Sequence, residues 1–339
     1  SVVTGLDRAE NFLEQAAAAA DTFTGIRNPA WLAVLRNALK REYDRARADG
    51  DQNGTLLYGL LAGALASKGA AGDEWLTQMA VAYPLPNPVE IELSALVDTD
   101  GVHRQRHFFY FDEVDKDGQR SYAGFLALYR GRSGWRIDDR GSYVVIRSTA
   151  GRPVEIYVNK PEQSTEGQEA IDIALTDKAV HMYVHRGHSY HWPDTLPHIK
   201  PDVRIAFVGA CGGFQDLDEI LQVARAHVIS TKVVGSITVN GPWLQMFSEE
   251  VRVGRAATIQ WEAFFAKVGR QLKGNKHFND YVPPSKNAAA LLTAAYYGAT
   301  QAQPVPATDG ATMVAQTSTT ATDTVPASDS APTASTAAG

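Results

Sequence analysis

The sequence predicts an α/β protein with a mostly parallel β-sheet, preceded by a helical region. Residues 1–83 are rich in Ala, Leu, Glu and Arg and sparse in β-branched residues, which is typical of helices. From the segment PLPNPVE at 84–90 onward, runs rich in Val, Ile, Tyr and Phe alternate with amphipathic segments, and this alternation favours βαβ units. The run RIAFVGA is almost continuously apolar, as expected for a strand that is buried on both faces.

The first region, 1–83, is predicted to form a helical bundle. The segment NPAWLAVLRNALKREYDRARA indicates a helix with Asn28 as its N-cap and Pro29 at its first position. The other predicted helices are LDRAENFLEQAAAAADTF, GTLLYGLLAGALASKG and DEWLTQMAVAY. Helix faces of this kind usually form a core, so a structural bundle is favoured, and a docking surface for a partner protein is the alternative.

The second region, 84–300, is predicted to be the α/β domain. Its strand-like runs are VEIELSALV, RHFFYF, SYVVIRS, VEIYVNK, AVHMYVH, VRIAFVGA and HVISTKVV. The predicted helices or helical turns are SYAGFLALYRG, EGQEAIDIALTDK, PDTLPHIK, FQDLDEILQVARA, the segments near 242–254 and 257–273, and SKNAAALLTAAYYG.

Residues 301–339 form the third region, which contains no Lys, Arg or aromatic residue. A segment of Thr, Ala, Ser and Pro cannot bury enough apolar surface to offset the cost of ordering, so a disordered tail is expected. The chain begins at Ser1 rather than at Met. Together with the tail, this favours an exported bacterial protein as the expected location.

Composition excludes several classes of protein. A net charge of −6 argues against sequence-independent binding of nucleic acid. The apolar run LLYGLLAGALA has only eleven residues, too few to span a bilayer, so a buried helix is expected and no membrane span. The chain has one cysteine, Cys211, which excludes an internal disulfide and a Cys-rich zinc module.

The residues that carry chemistry follow two consecutive predicted strands. His188 lies after the run that ends in VHRG, and Cys211 follows RIAFVGA and precedes two glycines. Strands of a parallel sheet present their carboxyl ends at one edge, where sites form in open α/β sheets. A thiol becomes a nucleophilic thiolate when a histidine lies within hydrogen-bonding reach. We expect the glycines after Cys211 to turn the backbone and to leave amides free for a ligand.

These two motifs resemble the caspase–gingipain–legumain group of cysteine peptidases, clan CD. The segment YVHRGHSYHW is similar to the gingipain-type pattern Tyr-x-Gly-His-Gly-Ser, and RIAFVGACGG is similar to the hydrophobic block that ends in the nucleophilic cysteine. The resemblance implies a caspase-hemoglobinase-like sandwich, with Cys211 as the nucleophile and His188 as the general base and acid. It implies hydrolysis of a peptide or protein substrate, without a cofactor or a metal.

The resemblance also suggests roles for neighbouring residues. Ser189 stands where the family most often has glycine, and its amide, with that of Cys211, would hold the oxyanion. In the family a charged group near this edge of the sheet sets cleavage preference. Asp112 and Glu113 follow the run RHFFYF and would favour a basic residue. His185 also ends the hydrophobic run, but His188 directly follows a glycine and is preferred.

A metal site and a non-enzymatic scaffold remain open as alternatives from the sequence. In a helix, one face would carry four histidines, His181, His185, His188 and His191. Three of them could hold zinc together with Asp194. The β-rich sequence and Gly187 disfavour that geometry.

The segment DEVDKDG begins like a calcium loop, but Gly124 stands where the bidentate Glu should be. The remaining possibility is a non-enzymatic peptidase-like scaffold with an inert, packed cysteine.

Overall fold

The computed structural model describes residues 2–67, 73–213 and 217–301. The helices in this part of the chain are α1 Phe12–Phe23, α2 Pro29–Ala48, α3 Gln52–Ala66, α4 Glu74–Ala82, α5 Asp117–Ala127, α6 Ser164–Ala174, α7 Trp192–Thr195, α8 Leu217–Val223, α9 Ile237–Val253, α10 Trp261–Gln271 and α11 Ala288–Gln301. The strands are β1 Glu90–Glu92, β2 His103–Phe108, β3 Trp135–Asp139, β4 Tyr143–Ser148, β5 Val154–Asn159, β6 Met182–His185, β7 Ile205–Val208, β8 His227–Thr231, β9 Thr258–Gln260 and β10 Tyr281–Val282. The predicted tail lies outside the described residues, apart from Gln301 at the end of α11.

The main sheet has eight strands in the order β10-β8-β7-β6-β2-β5-β4-β3. The five strands from β8 to β5 are parallel to one another, whereas β10, β4 and β3 pair antiparallel. The predicted α/β class with a mostly parallel sheet is therefore confirmed. All residues of β6 and β7 are buried, as the apolar run of β7 predicted.

The register of the central strands aligns their carboxyl ends. Phe108, the last residue of β2, pairs with His185 of β6, and His185 pairs with Val208 of β7. The segments that follow these three strands therefore leave the sheet at one level. Because β2 has β5 on one side and β6 on the other, the chain reverses its direction across the sheet here. This is the switch point at which sites form in open α/β sheets.

Helices cover both faces of the sheet. One face packs on aromatic and aliphatic side chains of α5, α9 and α10, among them Phe125, Trp243 and Phe264. The other face packs on α6, α8 and α11, through residues such as Ile171 and Ile220. Burial of both faces by helices accounts for the apolar sequence of β7, IAFV, whereas β2, HRQRHF, is buried although most of its residues are polar.

The helices α1–α4 share a core with α11. Asn28 caps α2 as predicted, since its side chain accepts a hydrogen bond of 2.9 Å from the amide of Ala30. Leu292 and Tyr296 of α11 belong to the core of these helices, while Ala289 and Ala290 of α11 belong to the core on the sheet. Helix α11 therefore lies between the N-terminal helices and the sheet.

The apolar run at 56–66 lies within α3, where most of its residues are buried, as predicted. None of the helices in the described ranges is both long and apolar enough to cross a lipid bilayer.

The segment VEIELSALV differs from its predicted structure. Only Glu90–Glu92 is a strand, and it pairs with Thr258–Gln260 in a separate two-stranded antiparallel sheet. Leu93–Leu96 continues as a 3-10 helix that buries Leu93 and Leu96. Residues three apart lie on the same side of a 3-10 helix, so this spacing buries both leucines without a longer strand.

Buried histidines give the fold an acid-sensitive stability. Burial lowers the pKa of His103, His185 and His227 to about 4. An unfolded histidine titrates near 6.5, so below that pH the unfolded chain binds protons that the folded chain rejects. Stability is therefore fully present above pH 6.5 and falls toward pH 4, by up to roughly 3 kcal/mol for each histidine.

We expect the urea midpoint to stay nearly constant between pH 7.5 and pH 6.5 and to fall from pH 6.5 to pH 5. His227 accepts a 2.9 Å hydrogen bond from the indole N–H of Trp261 through Nδ1. His227→Asn keeps an acceptor near that position and removes the titrating group, so its midpoint should depend less on pH. A midpoint that stays constant over this range would contradict the assignment.

Candidate active site

The histidine-rich stretch is a strand followed by a turn. Strand β6 ends at His185, and Ser189–His191 forms a 3-10 helix after the turn. The helical face that the alternative zinc site with Asp194 would require is therefore not formed. Gly187 is required in the turn, because a Cβ at this position would lie 2.6 Å from the Tyr110 ring.

His185 is a structural residue. Its side chain is buried, with Nδ1 2.7 Å from the hydroxyl of Thr195 and Nε2 3.1 Å from the carbonyl oxygen of His188. Both ring nitrogens are therefore engaged, and burial keeps the ring neutral at physiological pH. This environment supports the preference for His188 as the reactive histidine.

His188 is accessible and is oriented by a carboxylate. Its side chain is 30% exposed, and Nε2 lies 3.1 Å from Oδ2 of Asp115. The imidazole also stacks on the ring of Tyr190 at 5.1 Å. No partner for Nδ1 occurs among the described residues, so this nitrogen is available for proton transfer. A histidine held on one nitrogen by a carboxylate is the usual arrangement of a catalytic base.

Asp115 reaches His188 through a sharp turn before α5. Lys116 adopts a left-handed conformation with a φ of 56°, and α5 begins at the next residue. The amide of Asp117 and the imidazole of His188 lower the pKa of Asp115. Asp115 is therefore ionised at neutral pH and can stabilise a protonated His188.

Cys211 lies just beyond β7 and is exposed. Gly212 follows in the left-handed region with a φ of 65°, which turns the chain away from the strand. The amide of Gly212 donates to the carbonyl of Val233, and that of Gly213 donates to the hydroxyl of Thr231. The expectation that these two glycine amides are free for a ligand is therefore wrong.

The amide of Cys211 has no acceptor within the described part of the chain, which leaves it available to an oxyanion. Ser189 is exposed at the start of its 3-10 helix. A residue at this position has no intrahelical acceptor for its amide. The suggested oxyanion role of the two amides stays a prediction.

A small cavity of about 80 Å³ joins the candidate residues. His188 and Cys211 both line it, as predicted from their positions after neighbouring strands. Asp112 lines it as well, whereas Glu113 and Ser189 are exposed residues that do not. The cavity is also lined by three residues that no sequence motif had indicated, namely Ser121, Arg186 and Asn240.

Asp112 is buried, and its carboxylate is already occupied by hydrogen bonds. Oδ2 accepts a 2.7 Å bond from the amide of Gly118. Oδ1 accepts a 3.0 Å bond from the hydroxyl of Tyr190 and lies 3.2 Å from Nε2 of His191. These contacts hold the turn before α5 against the segment after β6, and they leave little capacity for a basic substrate group.

Asp112, Asp115 and His188 are the group of described side chains that could ligate a metal ion, with ligand atoms within 4.8 Å of one another. Asp112 and Asp115 belong to the segment DEVDKDG, whereas His188 lies 73 positions after Asp115. The hydrogen bonds to both oxygens of Asp112 compete with metal binding. The hydrogen bonds of these side chains suit them to orienting His188 better than to binding a metal ion.

The loop that carries Cys211 is supported by α9 and β10. Asn240 of α9 donates a 3.0 Å hydrogen bond to the carbonyl of Gly209 and accepts one from the hydroxyl of Tyr281. The Tyr281 hydroxyl in turn accepts a 2.8 Å bond from the amide of Ser236. Such a buried, hydrogen-bonded network fixes the backbone immediately before the thiol.

Scans of protein-family models, curated proteins and solved structures found no match to the chain.

Proposed function

We propose that the protein is a cysteine endopeptidase-like hydrolase with a caspase/gingipain-like α/β sandwich. The observation that carries the proposal is that Cys211 and His188, delivered by neighbouring parallel strands, line one cavity. The parallel strands from β8 to β5, with helices on both faces, support the proposed sandwich. The carboxylate of Asp115 on the second nitrogen of His188 supports a catalytic role for this histidine.

In the proposed reaction, Cys211 transfers its proton to Nδ1 of His188 and attacks the peptide carbonyl as a thiolate. The amides of Cys211 and Ser189 stabilise the oxyanion of the tetrahedral intermediate. His188 then donates the proton to the leaving amine, and a thioester remains on Cys211. Water, deprotonated by His188, hydrolyses the thioester and regenerates the thiol. The reaction needs no cofactor.

The test is cleavage of a diverse peptide library by the purified chain, with the products identified by mass spectrometry. We expect cleavage by the native protein, none by Cys211→Ser, and an unchanged rate after exhaustive chelation of metals. Chelation distinguishes the thiol mechanism from a metal bound at Asp112, Asp115 and His188. Cleavage that survives Cys211→Ser would exclude the proposed nucleophile.

If the protein is instead a non-enzymatic scaffold, no peptide in the library should be cut. Cys211 should then react with alkylating agents as an ordinary thiol does.

A further inference from the structure

Arg186 lines the cavity beside Cys211, and none of the described residues provides it with a counter-ion. Its side chain is 4% exposed, and Nη2 donates a 2.7 Å hydrogen bond to the hydroxyl of Ser121. Nε and Nη1 are buried and have no hydrogen-bond partner in the described residues. The guanidinium lies over the rings of Phe109 and Phe125, at 5.0 and 5.3 Å from their centroids.

Other buried arginines in the same sheet are paired. Arg104 forms ion pairs with Asp98, Asp100 and Glu155, and Arg106 pairs with Asp172. Arg186 has no such carboxylate among the described residues. Burial lowers its pKa to about 10, so the group is still charged at neutral pH. An unpaired buried cation is costly, and a site that retains one gains when an anion enters.

The helices around the cavity add positive potential. Gly118 in the first turn of α5 and Ile237 at the start of α9 both line it. The amino ends of helices favour anions. Two carboxylates also line the cavity, but Asp112 accepts hydrogen bonds at both oxygens, and Asp117 is paired with Arg120. Among the described residues that line the cavity, the guanidinium of Arg186 is thus the charge that lacks an ion pair.

We propose that Arg186 recognises a carboxylate on the substrate, carried by the residue whose carbonyl Cys211 attacks. This inference rests on the proposed peptidase function and specifies its substrate class. The side chain of that residue is the substrate group closest to the thiol, and a cavity of about 80 Å³ has room for the carboxylate end of Asp or Glu. The preference is thus for an acidic residue, in place of the basic residue suggested by Asp112 and Glu113.

Covalent peptidyl acyloxymethyl ketones that differ only in the residue before the warhead test the inference. Aspartate should label Cys211 of the native protein at least about ten-fold faster than asparagine, because a charge-assisted hydrogen bond is lost with the amide. Arginine should be slowest. Arg186→Met should bring the aspartyl probe to the rate of the asparaginyl probe, and Arg186→Lys should retain part of the difference.

The labelling rates of the native protein alone test the acidic preference, so the result does not depend on whether the Arg186 variants fold. Equal or faster labelling by the asparaginyl or arginyl probe overturns the role of Arg186. Iodoacetamide labelling of Cys211 in the native protein and in His188→Ala separates the two proposals. If that labelling depends on His188 while the probe ranking fails, only the acidic preference is wrong. If no probe labels Cys211 and iodoacetamide labelling ignores His188, both proposals fail.

Discussion

Replacing His188 with alanine is expected to slow peptide hydrolysis by roughly 10²–10⁴-fold, the usual contribution of a general acid–base residue. The substitution removes the group that accepts the thiol proton and later protonates the leaving amine. It also leaves the carboxylate of Asp115 without its imidazole partner. The measurement is kcat/KM on a peptide that the library identifies as a substrate.

His277→Ala is the matched control for His188→Ala. His277 is also partly exposed and lies near a carboxylate, Asp280, but it does not line the cavity. Its replacement should leave kcat/KM within about two-fold of the native value, as is usual for a surface substitution. Equal rates for the native protein and His188→Ala would exclude this histidine as the acid–base residue.

Replacing Trp243 with alanine is expected to lower the free energy of unfolding by about 3–5 kcal/mol. Trp243 is fully buried in α9 and contacts Phe207 of β7 with ring centroids 4.9 Å apart. It stacks on Phe247 and meets Phe264 edge-on. Truncation would leave a cavity beneath the strand that delivers Cys211. Urea unfolding of the native and variant proteins measures the loss.

Trp243→Phe separates the loss of volume from the loss of the indole N–H. The Nε1 of Trp243 is buried with no hydrogen-bond partner in the described ranges. Phenylalanine keeps most of the apolar contact and removes this unpaired donor, so its cost should stay below about 1.5 kcal/mol. Similar losses for the two substitutions would show that the aromatic packing contributes little.

The sequence predicted β6, β7 and the residues that follow them because these features depend on local patterns, whereas the predicted run RHFFYF is displaced from the observed β2, His103–Phe108. The continuously apolar run RIAFVGA predicted a strand that is buried on both faces of the sheet. Cys211 was therefore expected just beyond the carboxyl end of that strand. The Gly187–His188 pair gave a similar signal after β6. Parallel pairing of consecutive strands then brought the histidine and the cysteine to one cavity.

The residues around this pair could not be predicted, since they depend on tertiary contacts. Asp115 lies 73 positions before His188, and only the pairing of β2 with β6 brings them together. Arg186 precedes His188 by two residues, but nothing local indicates that its guanidinium is buried without an ion pair to any described residue. The strand β3 was missed because WRIDD carries three charges, which an antiparallel strand at the sheet edge tolerates.

The most direct test of the account is the pH dependence of Cys211 alkylation by iodoacetamide, in the native protein and in His188→Ala. A free thiol titrates near roughly 8.5, whereas a thiol paired with a histidine ionises well below that value. We predict rapid alkylation of the native protein at mildly acidic pH, and a shift of the profile to that of a free thiol in His188→Ala. Identical profiles with an ordinary thiol midpoint in both proteins would contradict the proposed Cys211–His188 pair.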